Sequence, residues 1–253
     1  FPDAVLDGPG FVRSRNAGPD LPQRVSSGGG LPLRVNDARI YRKNMLETTS
    51  PQPAPDKNSW WFLDARAKEG QTPPAAELTG RTEADVTVVG GGFTGLWTAL
   101  LLKERKPDLN VILIEANLCG SGASGMNGGK VHGYWGSLSG ISANLGPDAA
   151  LEAARLGTIA QDAIRAFCTA PGRDVWWKES GNIRVSASDA QDEKLNTIVT
   201  TAKRLGVPDT AVRLDKRELD QRIVSPVFRQ GIFLPEGANV HPARLARGLR
   251  RAC

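Results

Sequence analysis

The sequence contains few cysteines and few histidines. Its 253 residues include three cysteines, Cys119, Cys168 and Cys253, and two histidines, His132 and His241. The cysteines form no C-x-x-C pair and are odd in number, so they predict neither a disulfide framework nor a metal site. We therefore expect reduced thiols in a cytoplasmic protein. The scarcity of histidine also argues against acid–base chemistry by imidazole.

Dense blocks of basic residues and long apolar runs are also missing. Lysine and arginine number 32 against 27 acidic residues, and the resulting charge of +5 is spread along the chain. This distribution does not favour a nucleic-acid partner. The longest uncharged run, residues 86–102, contains four glycines and falls short of the roughly 18 apolar residues that a transmembrane segment needs. It fits a strand and a helix in an α/β core better.

Residues 1–58 differ in composition from the rest of the chain. They are rich in Pro, Gly, Ser, Asn and Arg and poor in large apolar side chains, so they can bury little surface and are expected to form a disordered extension. Residues 59–83 follow as an expected linker with a Pro-Pro pair. Within it, we expect Trp60, Trp61 and Phe62 to anchor the arriving chain to the surface of the folded part.

The stretch from Asp85 to Glu115 has the pattern of a buried strand, a glycine turn, an apolar helix and a second buried strand. It begins Asp-Val-Thr-Val-Val, continues Gly-Gly-Gly-Phe-Thr-Gly into an apolar segment, breaks at Pro107 and ends Val-Ile-Leu-Ile-Glu. The helix is expected to start near Thr94. A strand, turn, helix, strand and terminal acid in this order predict a dinucleotide-binding unit, which a lone G-x-G-x-x-G would not.

Each glycine in this turn has a distinct physical role. Gly90 permits the tight turn out of the strand, Gly92 lets the backbone approach a pyrophosphate, and Gly95 lets the helix pack closely on the sheet. The phosphates would then meet the free N–H groups and the positive end of the helix dipole. Glu115 lies 20 residues after Gly95, where a carboxylate can bind ribose hydroxyls.

A second glycine-rich stretch, residues 118–130, follows Glu115. Five glycines and an alanine leave its backbone bare: Gly120, Gly122, Ala123, Gly125, Gly128 and Gly129. Such a loop can press main-chain N–H groups against a phosphate or a flat ring, while Ser121, Ser124 and Asn127 add side-chain hydrogen bonds. The alternative is a flexible surface loop. Its position directly after the ribose acid and beside the phosphate turn favours a cofactor contact, so we expect the two glycine stretches to form one cradle for the cofactor.

These motifs resemble a known family. The run from Ala84 to Leu96, the pair Glu115-Ala and the run Gly-Ala-Ser-Gly-Met-Asn-Gly-Gly at 122–129 are similar to FAD-dependent oxidoreductases of the D-amino-acid oxidase and glycine oxidase superfamily. Within it they look most like the γ-glutamylputrescine oxidoreductase-like branch, in which an arginine usually stands at the position of Met126. The resemblance extends from about Trp60 to Cys253.

The resemblance implies a Rossmann-like, three-layer α/β domain that binds FAD, joined to the start of an α+β substrate domain. The residues that it places at the cofactor are Gly90, Gly92, Phe93, Thr94, Gly95, Glu115, Ala116, Ser121, Ala123, Ser124, Asn127, Gly128 and Gly129. The domain boundaries that we expect are 1–58 for the extension, 59–83 for the linker, 84–174 for the FAD domain, 175–236 for a partial substrate domain and 237–253 for a helix returning to the FAD domain.

The implied activity is oxidation of a small amine or amino acid by hydride transfer to the flavin, with this chain as the N-terminal part of the enzyme. An NAD(P)-binding dehydrogenase is one alternative, because Glu115 also suits the ribose of NAD. Against it, the loop at 118–130 replaces the helix that should follow the second strand of a nicotinamide domain. A non-catalytic fragment is the other alternative. Lys130 and His132 could approach the flavin, although structural roles are favoured for both.

The later part of the chain predicts regular elements. Apolar residues recur at helical spacing over 148–167 and again over 195–205. Residues 175–177 and 182–186 are strand candidates that would pair as a hairpin. Asp215 with Glu218 predicts a capping box, and His241 before a proline predicts a helix N-cap.

Overall fold

The computed structural model describes residues 59–70, 75 and 77–253. The expected disordered extension at 1–58 lies outside these residues, as does the Pro-Pro pair of the linker. The first described element was not predicted from the sequence: residues 60–69 form a helix, α1 (Trp60–Glu69), within the expected linker. The Ser59 side chain accepts a hydrogen bond from the Phe62 N–H, and Gly70 with φ of 68° ends the helix, so both ends are capped.

The predicted strand, turn, helix and strand form as expected. Strand β1 (Val86–Val89) leads through the glycine turn into helix α2 (Phe93–Arg105), and β2 (Val111–Ile114) pairs in parallel with β1. Helix α2 buries Leu96 and Leu100. A parallel pair requires a crossover between its strands, and α2 supplies it.

The remaining helices and strands complete the described chain. In order they are β3 (Lys130–Val131), α3 (Leu138–Leu145), α4 (Pro147–Thr169), β4 (Lys178–Glu179), β5 (Asn182–Ser186), α5 (Asp189–Arg204), β6 (Val212–Leu214), α6 (Lys216–Asp220), β7 (Gln230–Leu234), β8 (Ala238–Asn239) and α7 (Pro242–Ala252). Short 3₁₀ turns lie at Ala123–Gly125, Trp135–Ser137 and Pro208–Thr210.

The strands form three small sheets, and their pairing corrects one expectation. The sheets have the orders β1-β2, β3-β8-β4 and β5-β7-β6. Residues 182–186 form a strand as predicted, but β5 pairs with β7. Residues 175–177 form no strand, and β4 pairs with β8 instead. The predicted hairpin is therefore wrong. Trp176 has a left-handed φ of 56°, and this conformation interrupts the extended backbone that a strand at 175–177 would need.

The predicted helices and caps are confirmed. The helical pattern at 148–167 corresponds to α4, and the pattern at 195–205 corresponds to α5, which buries Leu195, Val199 and Ala202. Asp215 and Glu218 form both hydrogen bonds of the capping box that opens α6. Local apolar spacing and capping chemistry therefore predicted these elements well.

Two apolar cores support the sheets. In one, Leu96 and Leu100 of α2 meet Leu245 and Leu249 of α7, and Val240 lies in the same cluster. The other core joins α5 to the β5-β7-β6 sheet. Helix α7 also packs against α1 and against the 3₁₀ turn at Ala123–Gly125. The described helices include none with both the length and the hydrophobicity to cross a membrane.

Candidate nucleotide-binding site

The first glycine turn connects β1 to α2. Gly90 has φ of 102°, a conformation that favours glycine, and its N–H donates to the carbonyl oxygen of Ile114 at 2.7 Å. A side chain at Gly95 would overlap the carbonyl oxygen of Gly90. The structure therefore requires glycine at these two positions, as the sequence predicted, and leaves the start of α2 close to the carboxyl end of β1.

Glu115 lies directly beside this turn. Its Oε2 accepts a hydrogen bond from the Gly91 N–H at 2.6 Å, and its Oε1 accepts one from the Asn117 N–H at 2.9 Å. An ionised carboxylate has about four acceptor sites, so both oxygens keep lone pairs for further donors. The carboxylate is thus held in place by two backbone amides and still able to receive hydroxyl groups.

The second glycine stretch repeats the geometry of the first. Residues 120–125 read Gly-Ser-Gly-Ala-Ser-Gly and share the G-x-G-x-x-G spacing of residues 90–95. Gly120 has φ of 80°, and a side chain at Gly125 would overlap the carbonyl oxygen of Gly120, as one at Gly95 would overlap that of Gly90. The sequence predicted a bare loop beside the cofactor here, and the repeat of the spacing was not predicted.

The two turns are hydrogen-bonded to each other. The Phe93 N–H donates to Oγ of Ser124 at 2.8 Å, and the Gly120 N–H donates to the carbonyl oxygen of Gly91 at 2.9 Å. One bond lies near the start of each turn and the other near its end. Segments that are thirty residues apart therefore form one continuous backbone surface.

Part of this surface is bare and rich in donors. Among the residues that the structure describes, the N–H groups of Gly92 and Gly122 have no protein acceptor. A Cβ at Gly122 or Gly128 would meet no atom within 4 Å, and a Cβ at Gly92 would lie 3.0 Å from Oγ of Ser124. Free amides beside positions without side chains suit a pyrophosphate, so these residues fit the dinucleotide that the sequence predicted.

The end of the second stretch shows structural contacts. Asn127 donates from Nδ2 to the carbonyl oxygens of Ala123 and Ser124, both at 3.0 Å, and its Oδ1 accepts from the Gly129 N–H at 2.8 Å. Gly129 has φ of 66° and abuts the carbonyl oxygen of Val240. Asn127 and Gly129 therefore hold the loop and connect it to the start of α7.

A cavity of about 730 Å³ lies at the carboxyl end of β2. Its wall includes Glu115, Ala116 and Leu118, together with Arg66 and Arg250. Of the other predicted contacts, Thr94 and Ala123 are exposed, and Ser121 is half-buried. The structure thus places these predicted residues on or beside the two turns.

In the part of the chain that the structure describes, neither Lys130 nor His132 has a polar contact that would mark it as catalytic. Lys130 is exposed on β3 opposite Asn239, and His132 is exposed with Nδ1 3.1 Å from the carbonyl oxygen of Gly133. A neighbouring residue, Glu236, was not predicted from the sequence, and its Oε2 accepts a hydrogen bond from the Gly133 N–H at 3.0 Å. Its Oε1 accepts from the hydroxyl of Thr158. Glu236 therefore fixes the chain that leaves β3.

His241 has the structural role that the sequence predicted. It is fully buried, and its Nδ1 accepts from the Arg244 N–H at 3.2 Å, so it caps α7. Its Nε2 lies 2.9 Å from Oδ2 of Asp64. Burial lowers the pKa of His241, as does the charge of Arg244, and these effects exceed the opposite effect of Asp64. A neutral, enclosed imidazole at a helix start is part of the scaffold.

Within the residues that the structure describes, the site contains neither a reactive thiol nor a cluster of metal ligands. Burial, with the charge of Glu115, raises the pKa of the Cys119 thiol beside the first turn, so this cysteine is protonated and a poor nucleophile at neutral pH. In the described ranges, no group of three or more His, Cys, Asp or Glu side chains could hold a metal ion. The free amides and the fixed carboxylate are the features that this site offers.

A parallel β1-α2-β2 unit with a glycine turn and a strand-end acid defines a nucleotide-binding protein of the Rossmann type. The chain belongs to a particular family of this class, the FAD dependent oxidoreductases abbreviated DAO, whose family model matches residues 85–253. The resemblance stated from the motifs is therefore confirmed.

Two curated relatives are oxidoreductases. The chain is 28% identical over 194 residues to the Probable oxidoreductase OrdL of Haemophilus influenzae, which covers 76% of this chain and 44% of the relative. It is 30% identical over 180 residues to the Gamma-glutamylputrescine oxidoreductase of Escherichia coli, which covers 69% of this chain and 40% of the relative. The chain thus spans less than half the length of these relatives.

Solved structures show the same fold. Glycine oxidase from Geobacillus kaustophilus matches with a TM-score of 0.52 and 25% identity, over 67% of this chain and 44% of that one. L-Amino acid deaminase from Proteus myxofaciens matches with a TM-score of 0.54 and 22% identity, over 71% of this chain and 38% of that one. The expected Rossmann-like fold class is therefore confirmed.

Proposed function

We propose that this chain is the cofactor-binding part of an FAD-dependent oxidoreductase that oxidises an amine or amino acid. The observation that carries the proposal is the hydrogen-bonded pair of glycine turns with Glu115 beside them. Membership of the DAO family supports FAD as the dinucleotide. The names of the relatives, a γ-glutamylputrescine oxidoreductase and a glycine oxidase, support an amine or amino acid as substrate.

The residues divide the task of holding FAD. The free N–H groups of Gly92 and Gly122 and the start of α2 would bind the pyrophosphate. Glu115, already oriented by the Gly91 N–H at 2.6 Å, would accept hydrogen bonds from the ribose hydroxyls. Thr94 and Ser121 would add side-chain donors at the rim. When bound, FAD supplies the hydride acceptor for the oxidation.

The domain division that the sequence predicted is part of this proposal. Residues 84–174 would form the FAD domain, 175–236 would contribute to a substrate domain, and 237–253 would return to the FAD domain. The packing of α7 against α2 in one apolar core supports the return. The substrate would be a small molecule, and its contacts would come mainly from other parts of the full-length enzyme.

A direct test combines a visible spectrum with one variant of the second turn. Purified full-length protein should absorb near roughly 450 nm, as flavoproteins do, and should release FAD on denaturation. Gly122→Val should abolish FAD binding, because the valine side chain would occupy the space proposed for the pyrophosphate. A Cβ at this position meets no protein atom within 4 Å, so the fold should remain intact. Gly140→Ala, at an open helical position in α3, is the control and should bind FAD normally.

The outcomes separate the candidate functions. A colourless protein that takes up no added FAD would contradict the proposal, and uptake of NAD instead would favour the dehydrogenase. Unchanged FAD binding in Gly122→Val would show that the cofactor does not lie on the second turn. Thermal unfolding of each variant would show whether the fold is intact.

A further inference from the structure

Helix α1 precedes the segment that matches the family model, residues 85–253, and yet it contacts the second glycine turn. The hydroxyl of Ser59, immediately before α1, donates to the carbonyl oxygen of Gly125 at 3.1 Å. Gly125 is the last glycine of the repeat, and its position against Gly120 shapes the turn. The start of α1 is therefore connected to the end of the second turn.

The other end of the same turn is held through an ion pair. Glu69, the last residue of α1, binds Arg247 of α7 with Oε2 and Nη2 2.7 Å apart, and the two side chains are 5% and 3% exposed. Nη1 of Arg247 donates to the carbonyl oxygen of Cys119 at 3.2 Å. Phe62, 2% exposed, lies in an apolar cluster with Leu118 and Ala243. Contacts from α1 thus reach both sides of residues 120–125.

Because the Glu69–Arg247 ion pair is buried, its loss would be costly to stability. A buried guanidinium that loses its carboxylate is left as an uncompensated charge, which is strongly unfavourable. Arg247 would also lose the partner that orients it towards Cys119. Asp64 on α1 binds Arg244 at 2.8 Å, which adds a second polar connection between α1 and α7. Helix α1 is therefore an integral support of the second turn.

We infer that α1 is a positioning element for the cofactor, in which Ser59 and Glu69 set the second glycine turn against the first. The inference rests on the proposed function, because it assigns α1 an effect on FAD affinity. Two bonds between the turns, from Phe93 to Ser124 and from Gly120 to Gly91, define the geometry that α1 would maintain. Neither Ser59 nor Glu69 needs to touch FAD.

Variants of Ser59 separate its contact with the turn from its role as a helix cap. Ser59→Asp keeps an acceptor for the Phe62 N–H, but it loses the donor to Gly125 and places a carboxylate beside a carbonyl oxygen. Ser59→Thr keeps both donor and acceptor. In full-length protein, the dissociation constant for FAD should rise about 3-fold to 10-fold in Ser59→Asp, as loss of one hydrogen bond implies, and should stay within about 2-fold in Ser59→Thr.

Hydrogen exchange without added FAD provides a second measurement. In Ser59→Asp, amide exchange should become faster in residues 118–126 and remain unchanged in the β5-β7-β6 sheet. Glu69→Gln should have the same effect at Cys119. Flavin fluorescence during titration gives the affinity, and thermal unfolding of the apoprotein reports overall stability.

Three results would overturn the inference. Equal FAD affinity in Ser59→Asp and the parent would overturn it and leave the proposed function standing. Faster exchange throughout residues 85–253, rather than at 118–126, would show that α1 supports only general stability. A parent protein that takes up no FAD would overturn both the inference and the proposed function.

Discussion

Gly95 and Gly125 meet the same steric limit, thirty residues apart in the chain. At each one, an added Cβ would overlap the carbonyl oxygen of the glycine five residues earlier, Gly90 or Gly120. Both earlier glycines have positive φ. The sequence predicted the requirement at Gly95 from the motif. The same spacing occurs at 120–125, but no long helix follows it, so it was not recognised as a second copy of the motif.

Alanine at either position should destabilise the fold. We expect Gly95→Ala and Gly125→Ala each to lower the free energy of unfolding by about 1 to 3 kcal/mol, because backbone must move to admit the new methyl group. Denaturant unfolding of the apoprotein measures this. Gly140→Ala, where the added Cβ meets open space, should instead be neutral or stabilising by up to about 1 kcal/mol. Equal effects at all three positions would contradict the steric explanation.

Side-chain contacts around the turns were less predictable than the glycines. Glu115 was expected to bind ribose, and its place at the end of β2 followed from strand length and motif spacing. Its bonds to Gly91 and Asn117 depend on how the turn closes in three dimensions. Asn127 was expected to contact the cofactor, but in this structure it organises its own loop. That cofactor contact stays a prediction.

At the scale of the elements, α7 packs against segments that are distant in the sequence, namely α1, α2 and the 3₁₀ turn at Ala123–Gly125. The His-Pro start predicted its N-cap, because that signal is local. The rings of Trp61 and Trp176, each with its centroid 4.8 Å from that of His241, come from distant segments. Burial lowers the pKa of His241, as does Arg244, and the carboxylate of Asp64 opposes them.

The lowered pKa of His241 predicts a pH dependence of stability. The unfolded chain binds a proton near the ordinary pKa of 6.5, but the folded protein binds it only at lower pH. The contribution of neutral His241 to the free energy of unfolding is therefore fully present above about pH 6.5, and it is lost as the pH falls through the folded-state pKa. The pKa of Asp64 is also lowered from 3.8, so protonation of this carboxylate would reduce stability only at more acidic pH.

The test is the slope of melting temperature against pH. His241→Asn keeps an acceptor for the Arg244 N–H but cannot titrate, so its melting temperature should fall less between pH 7 and pH 5 than that of the parent. His132→Asn removes an exposed imidazole and should retain the parental slope. Identical slopes in all three proteins would refute a role for His241.

Helix α1 and the absent hairpin show where local patterns failed. Trp, Trp and Phe are modest helix formers, so residues 60–62 did not predict the helix that a Ser59 cap and the burial of Phe62 and Ala65 stabilise. The hairpin at 175–186 failed because pairing depends on distant strands. β4 and β5 are close in sequence but join different sheets, with β8 and β7.

At the scale of the whole molecule, the β1-β2 sheet is notable for its exposure. It has two strands, and Val89 is 83% exposed. Parallel sheets in globular proteins usually have both faces covered. The sequence predicted two buried strands, but the structure only half-buries Val86, Val88 and all four residues of β2, and it leaves Thr87 and Val89 exposed. Val88 lies on the face that approaches Gly95 of α2.

The two faces should respond differently to a charge. In the 253-residue chain, Val89→Lys should change the free energy of unfolding by no more than about 0.5 kcal/mol and should reduce light scattering, since it removes exposed apolar surface. Val88→Lys, on the adjacent residue, should cost about 2 kcal/mol or more. Denaturant unfolding measures both, and a large loss in Val89→Lys would show that this face is covered.

The sequence predicted most of the elements in their order along the chain, but it did not predict the contacts between distant elements. Motifs gave the family, the fold class and the location of the nucleotide-binding unit, because these depend on residues close in sequence. They led us to expect the two glycine stretches at one cofactor, but they did not reveal the hydrogen bonds between the turns. Nor did they show that α1 contacts the second turn, or that β4 and β5 separate into two sheets. Those features depend on contacts between segments that are far apart along the chain.

The bond between Ser124 and Phe93 brings a hydroxyl group to the amino-terminal end of α2. The Ser124 hydroxyl accepts the first N–H of α2 at 2.8 Å, and its own proton is left for another partner. The second turn thereby places an O–H donor at the positive end of the α2 helix dipole. We therefore expect that either turn, transplanted alone into another protein, would lose this arrangement. The first turn supplies the Phe93 N–H, and the second supplies the Ser124 hydroxyl that accepts it.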